Sequence, residues 1–485
     1  MTTRRDFLRQ VFTVGAAVAA GGISSMAANK KQPNLLYVFP DEYRRQAIGF
    51  MNEDPVLTPN LDAFCRDSIV FTHAQSAIPI CTPYRGMLFT GQYPYTNGLT
   101  GNCMSGKPDM YLRKEKRIIS DILAESGYSC GYIGKWHLDA PHEPYINVKP
   151  GSKAIEWDEY TPLDERHGFS FWYSHGSFNQ HMNMHYWTGN AARSEYHTVN
   201  EWSPTHEAKI ACSYIRNDGG SYRDPSKPFA LFVSMNPPHM PFEQVPEEYK
   251  KLYNGKTAAE LLTRKNVDLS SEAKDAVTAK KSVHNYFACV SGVDDAFGSI
   301  LSCLKAQGLD ENTIVVFSSD HGEMMGSQNR MHKGYFYEES AGIPFIIRHP
   351  GVLKPRMDNL LLNVPDIMPT LLSLMGLRDR IPADIEGGDY ASIFRDEGGV
   401  RPKASLFIGV AEKWPVRGIK TARHSFIVRN DNGVRKYELY DNESDKYQMK
   451  NIAGQDSPLE KELLSQLDDL LARTKDPKRA MFTGA

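Results

Sequence analysis

Four short segments of the sequence gather acids, imidazoles and a lysine: Asp41-Glu42, Lys135-Trp136-His137, Pro237-Pro238-His239 and Asp320-His321. Asp41, Glu42 and Asp320 offer hard carboxylate oxygens, the ligands that Ca2+ and Mg2+ prefer, and His321 adds a nitrogen. Helix capping is the other use for such acids. A fifth segment, Cys81-Thr82-Pro83-Tyr84-Arg85, carries a thiol and a guanidinium. Pro83 near a first helical position suits a helix start. Cys81 and Arg85 then lie about one turn apart at the positive end of a helix, where an anion is favoured. Cys81 reads either as a buried structural thiol or as a catalytic thiolate beside His137.

Each of the four clusters follows a predicted strand. Leu35–Phe39 runs into Asp41-Glu42, Ser129–Ile133 into Lys135, Pro228–Met235 into Pro237, and Thr313–Ser318 into Asp320; Ile343–Arg348 is a further strand. Strands alternating with helices indicate an α/β fold, a large mostly parallel sheet sandwiched by helices. Ligands of such sheets bind at the carboxyl ends of the strands, so the clusters share one edge if these strands are parallel. The clearest helix carries Tyr286, Val290, Val293, Phe297, Ile300, Leu301 and Leu304 on one face and stops near Gly308. After residue 385 the texture changes. Arg417 to Tyr440 alternates around the turn dipeptide Asn432-Gly433, and a polar helix follows over Pro458–Arg473. The expected organisation is a catalytic α/β domain over 33–385 and a smaller C-terminal domain over 386–485, an antiparallel sheet plus a helix.

Apolar residues make up 41% of the 485, and the formal net charge is −2. That balance excludes a global basic footprint for nucleic acid and a polybasic membrane stripe. Arg4-Arg5-Asp6-Phe7-Leu8 precedes an Ala/Gly-rich apolar run, with small residues before Ala28. This pattern resembles a twin-arginine signal peptide over residues 1–27, with a Sec signal as the alternative. The run is short and glycine-rich for a membrane span. A periplasmic or secreted protein is expected, with no stable membrane insertion after cleavage. None of the seven cysteines forms a CxxC pair, which excludes the usual structural zinc patterns. Export permits disulfides, but the sequence assigns none.

The Cys81-x-Pro83-x-Arg85 core, followed by Leu88-Phe89-Thr90-Gly91, resembles the signature of type I, formylglycine-dependent sulfatases. Other segments match that family in its order. They are Pro33-Asn34-Leu35-Leu36 leading to Asp41, Thr58-Pro59-Asn60-Leu61-Asp62, Gly134-Lys135-Trp136-His137-Leu138, Pro238-His239 with Pro241-Phe242, and Ser319-Asp320-His321-Gly322-Glu323. Lys333 with Glu338 and Ile343-Pro344, then Tyr437 to Asp441 with Asn451, complete the series. The resemblance spans roughly residues 33 to 453. Tyr84 stands where the signature most often has Ser, and Glu42 where the family usually has Asp or Gln.

The resemblance implies an alkaline-phosphatase-like fold and an exported hydrolase of O-sulfate esters on carbohydrates, such as glycosaminoglycan, mucin or algal glycan fragments. It implies that a maturase oxidises Cys81 to formylglycine (3-oxoalanine), whose hydrate attacks sulfur through one hydroxyl and expels sulfate through the other. Asp41, Glu42, Cys81, Asp320 and His321 are then the ligands of Ca2+, or of Mg2+. Lys135 and Lys333 stabilise the sulfate charge, and Arg85 holds the hydrate. His137 takes a proton from the diol during release, and His239 is the general acid for the leaving alcohol. For sugar contact the candidates are Arg166-His167-Gly168-Phe169, His175 and the stretch Asn179–Trp187, which contains His181; Trp414 and Arg417 are placed to close the pocket. Two other readings remain: a phosphonate monoester or phosphodiester hydrolase of the same superfamily, and a non-catalytic sulfated-glycan-binding protein if Cys81 stays a thiol.

Overall fold

The computed structural model describes residues 32–146, 154–410, 415–454 and 457–484. The signal peptide expected over 1–27 and Trp414 lie outside the described residues. Ten strands form the larger sheet: β1 (Asn34–Val38), β2 (Ile69–Phe71), β3 (Ser129–Lys135), β4 (Phe171–His175), β5 (Met184–Thr188), β6 (His197–Val199), β7 (Phe229–Ser234), β8 (Thr313–Ser318), β9 (Phe345–Arg348) and β10 (Arg356–Asp358). Their order across the sheet is β10-β2-β9-β8-β1-β7-β3-β4-β5-β6. The central run β8-β1-β7-β3-β4 is parallel throughout.

These central strands are buried on both faces, and alternation along them divides the core in two. Leu35, Tyr37, Tyr132, Phe232 and Val316 pack on one side with Met87, Leu88 and Phe89 of helix α1 (Cys81–Thr90). Leu36, Val38, Ile133, Leu231, Val233, Val315 and Phe317 pack on the other with helices α2 (Ser203–Arg216) and α3 (Lys274–Ala306). Near-continuous apolar runs are what a doubly covered parallel strand requires. Pro228 falls outside β7 because proline has no N–H for the ladder.

The predicted stripe on α3 is in the core, with Tyr286, Val290, Val293, Phe297, Ile300 and Leu304 all buried and Leu301 packed against them. Each fully buried side chain of this size contributes roughly 1.5–3 kcal/mol. Gly308 closes the helix with φ +64°, and the Leu309 N–H reaches back to the Leu304 carbonyl at 3.2 Å. By length and apolarity alone α3 would pass as a membrane span; here most of that stretch is buried in the protein.

The edges depart from the expectation of parallel pairing. The strand anticipated at Ile343–Arg348 begins at Phe345 and runs antiparallel to both β8 and β2. The chain returns from β8 through a long loop and one short helix, Glu338–Ala341, and re-enters the sheet in the opposite direction. β5 runs antiparallel to β4 and β6 to β5, because their connections are too short for a parallel crossover.

A second sheet, β11 (Ser405–Gly409), β12 (Val416–Lys420), β13 (His424–Asp431) and β14 (Val434–Asp441), is an antiparallel meander. Asn432 and Gly433 make its tight turn, both at positive φ, the conformation that favours this dipeptide. Helix α4 (Pro458–Arg473) starts on a Ser457/Glu460 capping box and buries Leu463, Leu467 and Leu471. Those leucines share one apolar cluster with Leu406, Ile408 and Phe426 of the meander and with the α1 side of the large sheet.

Candidate active site

Helix α1 begins at Cys81 itself, so the thiol occupies its first turn and Arg85 lies one turn on. Pro83 costs no hydrogen bond there, because the first N–H groups of a helix have no partner within it. The Thr82 N–H is taken up by Asn102 Oδ1 at 3.1 Å, and Gly91 ends the helix at φ +65°. All ten residues of α1 are buried, which fixes the Cys81–Arg85 pair rigidly over the sheet.

The strand ends deliver the other groups. After β1 the chain turns at Glu42, a non-glycine residue at φ +64°. Such a conformation costs of order 1–3 kcal/mol and is held by its surroundings. The Glu42 N–H donates to Asp320 Oδ1 at 3.0 Å, and the Tyr286 hydroxyl donates to the Glu42 carbonyl at 3.0 Å. Ser319, at the end of β8, accepts the Tyr43 N–H at 3.0 Å and donates to the Pro40 carbonyl at 2.9 Å. The β1 and β8 loops are thereby stitched together.

Asp41 is the hub. Its carboxylate lies 2.7 Å from Lys135 Nζ, 3.3 Å from the Arg85 guanidinium, 3.4 Å from His321 Nε2 and 3.9 Å from Lys333 Nζ. Cys81 Sγ is 3.7 Å from Asp41 Oδ1, 3.4 Å from His321 Nε2 and 4.0 Å from Lys135 Nζ. Arg85 also meets Asp320 Oδ2 at 3.4 Å and donates to Ser234 Oγ at 2.8 Å and to the Lys135 carbonyl. Glu42 faces Lys333 Nζ at 3.5 Å and His239 Nε2 at 3.6 Å. The structure therefore brings together Asp41, Glu42, Cys81, Arg85, Lys135, His239, Asp320, His321 and Lys333.

Burial raises the proton affinity of the Asp41 carboxyl, yet Lys135, His239, Lys333 and His321 together hold it well below the usual carboxylate range. Asp320 goes the other way, pushed up to about 7 by burial and by Asp41. Cys81 is brought down to about 7, because Lys135, Lys333 and His321 outweigh burial and Asp41. Burial and then Lys333 hold His239 well below the usual imidazole value, and burial followed by Lys135 and Arg85 does the same to His137. His137 gives its Nε2 to the Cys103 carbonyl at 3.0 Å, which leaves a buried Nδ1 without a hydrogen bond. A neutral imidazole whose Nε2–H donates keeps Nδ1 as an acceptor.

These donors suit a hard divalent cation. Ligand atoms of Asp41, Cys81, Asp320 and His321 all lie within 4.8 Å of one another, as do those of Asp41, Glu42 and His239. Glu42 Oε1 is buried without a hydrogen-bond partner, as an oxygen kept for an ion would be.

Three of the residues proposed for substrate contact, His175, His181 and Arg417, are placed otherwise. His175 is 1% exposed, with its imidazole 3.9 Å from Glu207, so it is sealed from any sugar bound outside. His181 is fully buried and bonds the His239 carbonyl at 2.8 Å; it positions the His239 loop. Arg417 is buried against Asp476, donates to the Tyr95 hydroxyl and lies over the Phe482 ring. It ties β12 to the C-terminal segment, because a buried guanidinium must satisfy its charge locally.

Sequence reasoning gave no role to Asn236, Glu323 or His332. Asn236 Oδ1 accepts Lys135 Nζ at 3.2 Å, and its amide donates to the Phe178 carbonyl and to Asn179, each at 2.9 Å. His332 Nδ1 lies 3.5 Å from Glu323 and 3.8 Å from Glu42. Asn236 and His332 stand beside quoted segments and Glu323 closes one, and that position was the available signal.

Residues 33–377 match the family model described as Sulfatase, and residues 326–476 match the one described as N-sulphoglucosamine sulphohydrolase, C-terminal. The chain is 41% identical to an endo-4-O-sulfatase of Bacteroides thetaiotaomicron, over 96% of this chain and 97% of that protein. It is 32% identical to a ulvan-active sulfatase of Formosa agariphila, over 92% and 82%. A solved Bacteroides thetaiotaomicron structure, described under the metabolism of multiple glycosaminoglycans, superposes with a TM-score of 0.86 at 41% identity. That match covers 93% of this chain and 98% of the other.

Proposed function

The chain belongs to the sulfatase family and hydrolyses sulfate esters of carbohydrates, and we propose that it does so as an exported enzyme with residue 81 converted to formylglycine. The carrying observation is the placement of Cys81 at the head of α1 with Asp41, His321 and Lys135 within 4.0 Å of its sulfur. The twin-arginine-like N-terminus supports export to the periplasm or medium. The endo-4-O-sulfatase relative supports 4-O-sulfated glycosaminoglycan fragments as the first substrates to try.

Asp41, Glu42, Asp320 and His321, with residue 81, would hold the cation, for which Ca2+ fits three carboxylates best. When bound it supplies Lewis-acid polarisation and neutralises charge. Arg85, paired with Asp41 and Asp320, keeps residue 81 oriented. Lys135 and Lys333 flank the nucleophile and face the sulfate oxygens, where charge accumulates as the ester bond breaks. His239, with Nδ1 tied to the Met240 carbonyl at 2.7 Å, presents Nε2 to the cluster and protonates the departing sugar oxygen. Burial and then Lys333 lower the proton affinity of that imidazole, and Glu42 at 3.6 Å from Nε2 favours the protonated form the acid step needs. His137 Nδ1 accepts the proton released when residue 81 returns to its resting form.

Two measurements test this reading. Peptide mass spectrometry of protein from its native host should find the aldehyde at residue 81. Purified enzyme should prefer sulfate monoesters over phosphate diesters and phosphonate monoesters assayed side by side. An intact thiol at Cys81, or a strong preference for the diester, would overturn it.

A further inference from the structure

Five of the seven cysteines are buried; the two that are not, Cys212 and Cys303, face each other. Cys212 lies on α2 and Cys303 on α3, 91 residues apart in sequence. Cys303 Sγ sits 3.6 Å from the Cys212 carbonyl oxygen, and Cys212 Sγ lies 3.8 Å from the carbonyl of Ser299, one turn before Cys303. Each thiol therefore donates to a carbonyl on the other's helix. α3 is packed tightly against the residue that leads into α2: a Cβ on Gly292 would lie 2.4 Å from the Trp202 ring. A groove of about 750 Å3 opens over the Cys212 side, lined in part by Cys212, Arg216, Ser299 and Ser302.

From this juxtaposition we propose that Cys212 and Cys303 are joined as a disulfide that pins α2 to α3, formed by exchange with an oxidised dithiol catalyst. The proposal rests on the export reading, because that compartment supplies such oxidants and the cytosol does not. The Arg216 guanidinium lies 3.9 Å from Cys303 Sγ. Burial, and then Cys303, push the Cys212 thiol up to about 12. The Cys303 thiolate attacks one sulfur of the oxidant R–S–S–R′, forming a mixed disulfide and releasing R′–S⁻. Cys212, giving up its proton, then attacks Cys303 Sγ and expels R–S⁻. Two thiols are oxidised, one oxidant disulfide is reduced, and the two protons end on the released thiolates.

The test uses the full chain purified in the reduced state and treated with glutathione disulfide. Remaining thiols are blocked with maleimide, and the protein is digested without reductant. The expected result is a cross-linked pair of peptides containing residues 212 and 303, lighter by two hydrogens than the separate thiol peptides. Oxidation should also raise Tm by about 5 °C, the scale for closing a long loop in a chain of this size. Both signals should vanish in Cys212→Ser and in Cys303→Ser, while sulfate ester turnover stays unchanged in each. Recovery of both residues as maleimide adducts, or as separate glutathione adducts, overturns the proposal. Turnover is read independently of the cross-link, so a failed proposal and a failed sulfatase reading give different results.

Discussion

Lys135 and Asp41 form a fully buried ion pair, Nζ to Oδ2 at 2.7 Å, although the strands that end in them are not neighbours. β7 lies between β1 and β3 in the sheet. The pair exists because three parallel strands finish at one level and spill their polar residues onto a common edge. Lys135→Met keeps the stem but removes the charge and leaves Asp41 less compensated. Breaking a buried pair in this way costs about 3–5 kcal/mol in stability. Loss of one preorganised cation should lower kcat by about 10²–10³-fold. Thermal melts with steady-state kinetics check both, and near-normal turnover would remove Lys135 from the proposed chemistry.

His239 should separate sugar from aryl substrates. On the proposed reading it protonates the leaving oxygen, a contribution of about 10²–10⁴-fold where that oxygen is a poor leaving group. An activated aryl sulfate needs little protonation. His239→Ala should therefore lose most turnover on a sulfated sugar and much less on the aryl ester. Equal losses on both would contradict an acid role. Cys81→Ala serves as the reference, with turnover lost on every substrate.

Removing the cation gives a third check. Prolonged dialysis against a chelator should abolish turnover and lower Tm, because an ion that binds only the folded state adds about 2.7 kcal/mol at 100 times its Kd. Added Ca2+ should restore both more fully than Mg2+, since Mg2+ demands tighter octahedral geometry than this mixed set provides. Glu42→Gln should weaken the restored activity without changing the fold. Full turnover in metal-free protein would refute the cation site.

Much of this was legible in the sequence, for physical reasons. β8 and α4 were read at their observed bounds, because a run of β-branched residues and a capping box are local signals. The edge strands escaped, since pairing direction depends on how the chain returns. At the site, Asp41, Cys81, Arg85, Lys135 and Asp320 announced themselves by spacing. Asn236 did not: it reads as a turn residue, and its partner Lys135 is 101 positions away. His181 looked like a sugar contact because composition carries no direction; only the fold turns it toward the His239 carbonyl. Tyr84, the departure from the usual signature, has its hydroxyl 3.2 Å from that of Tyr37 inside the core, so packing dictates that residue.

Glu338, which the sequence placed among the family segments, holds the meander to the large sheet. Its carboxylate takes Arg45 at 2.6 Å on one side and Lys420 of β12 at 2.6 Å on the other. Burial opposes ionisation, but Lys420 and Arg45 keep the Glu338 carboxyl well below its ordinary value. Burial outweighs Glu338 at Lys420 and draws that amine below its own usual value, so the triad is partly frustrated. The sign for Glu338 follows from its depressed folded value. Its stabilisation is fully present above the unfolded carboxyl's pKa near 4.3 and fades as pH falls further toward the folded one. Lys420 stays protonated in folded and unfolded chains over that acid window and adds no slope there. Glu338→Gln should therefore destabilise by about 3–5 kcal/mol at pH 7. The gap between variant and wild type should narrow steadily below about pH 4.3. Urea unfolding at several pH values measures that gap, and a gap constant down to pH ~3 would show that the carboxylate charge is not what holds Arg45 and Lys420 together.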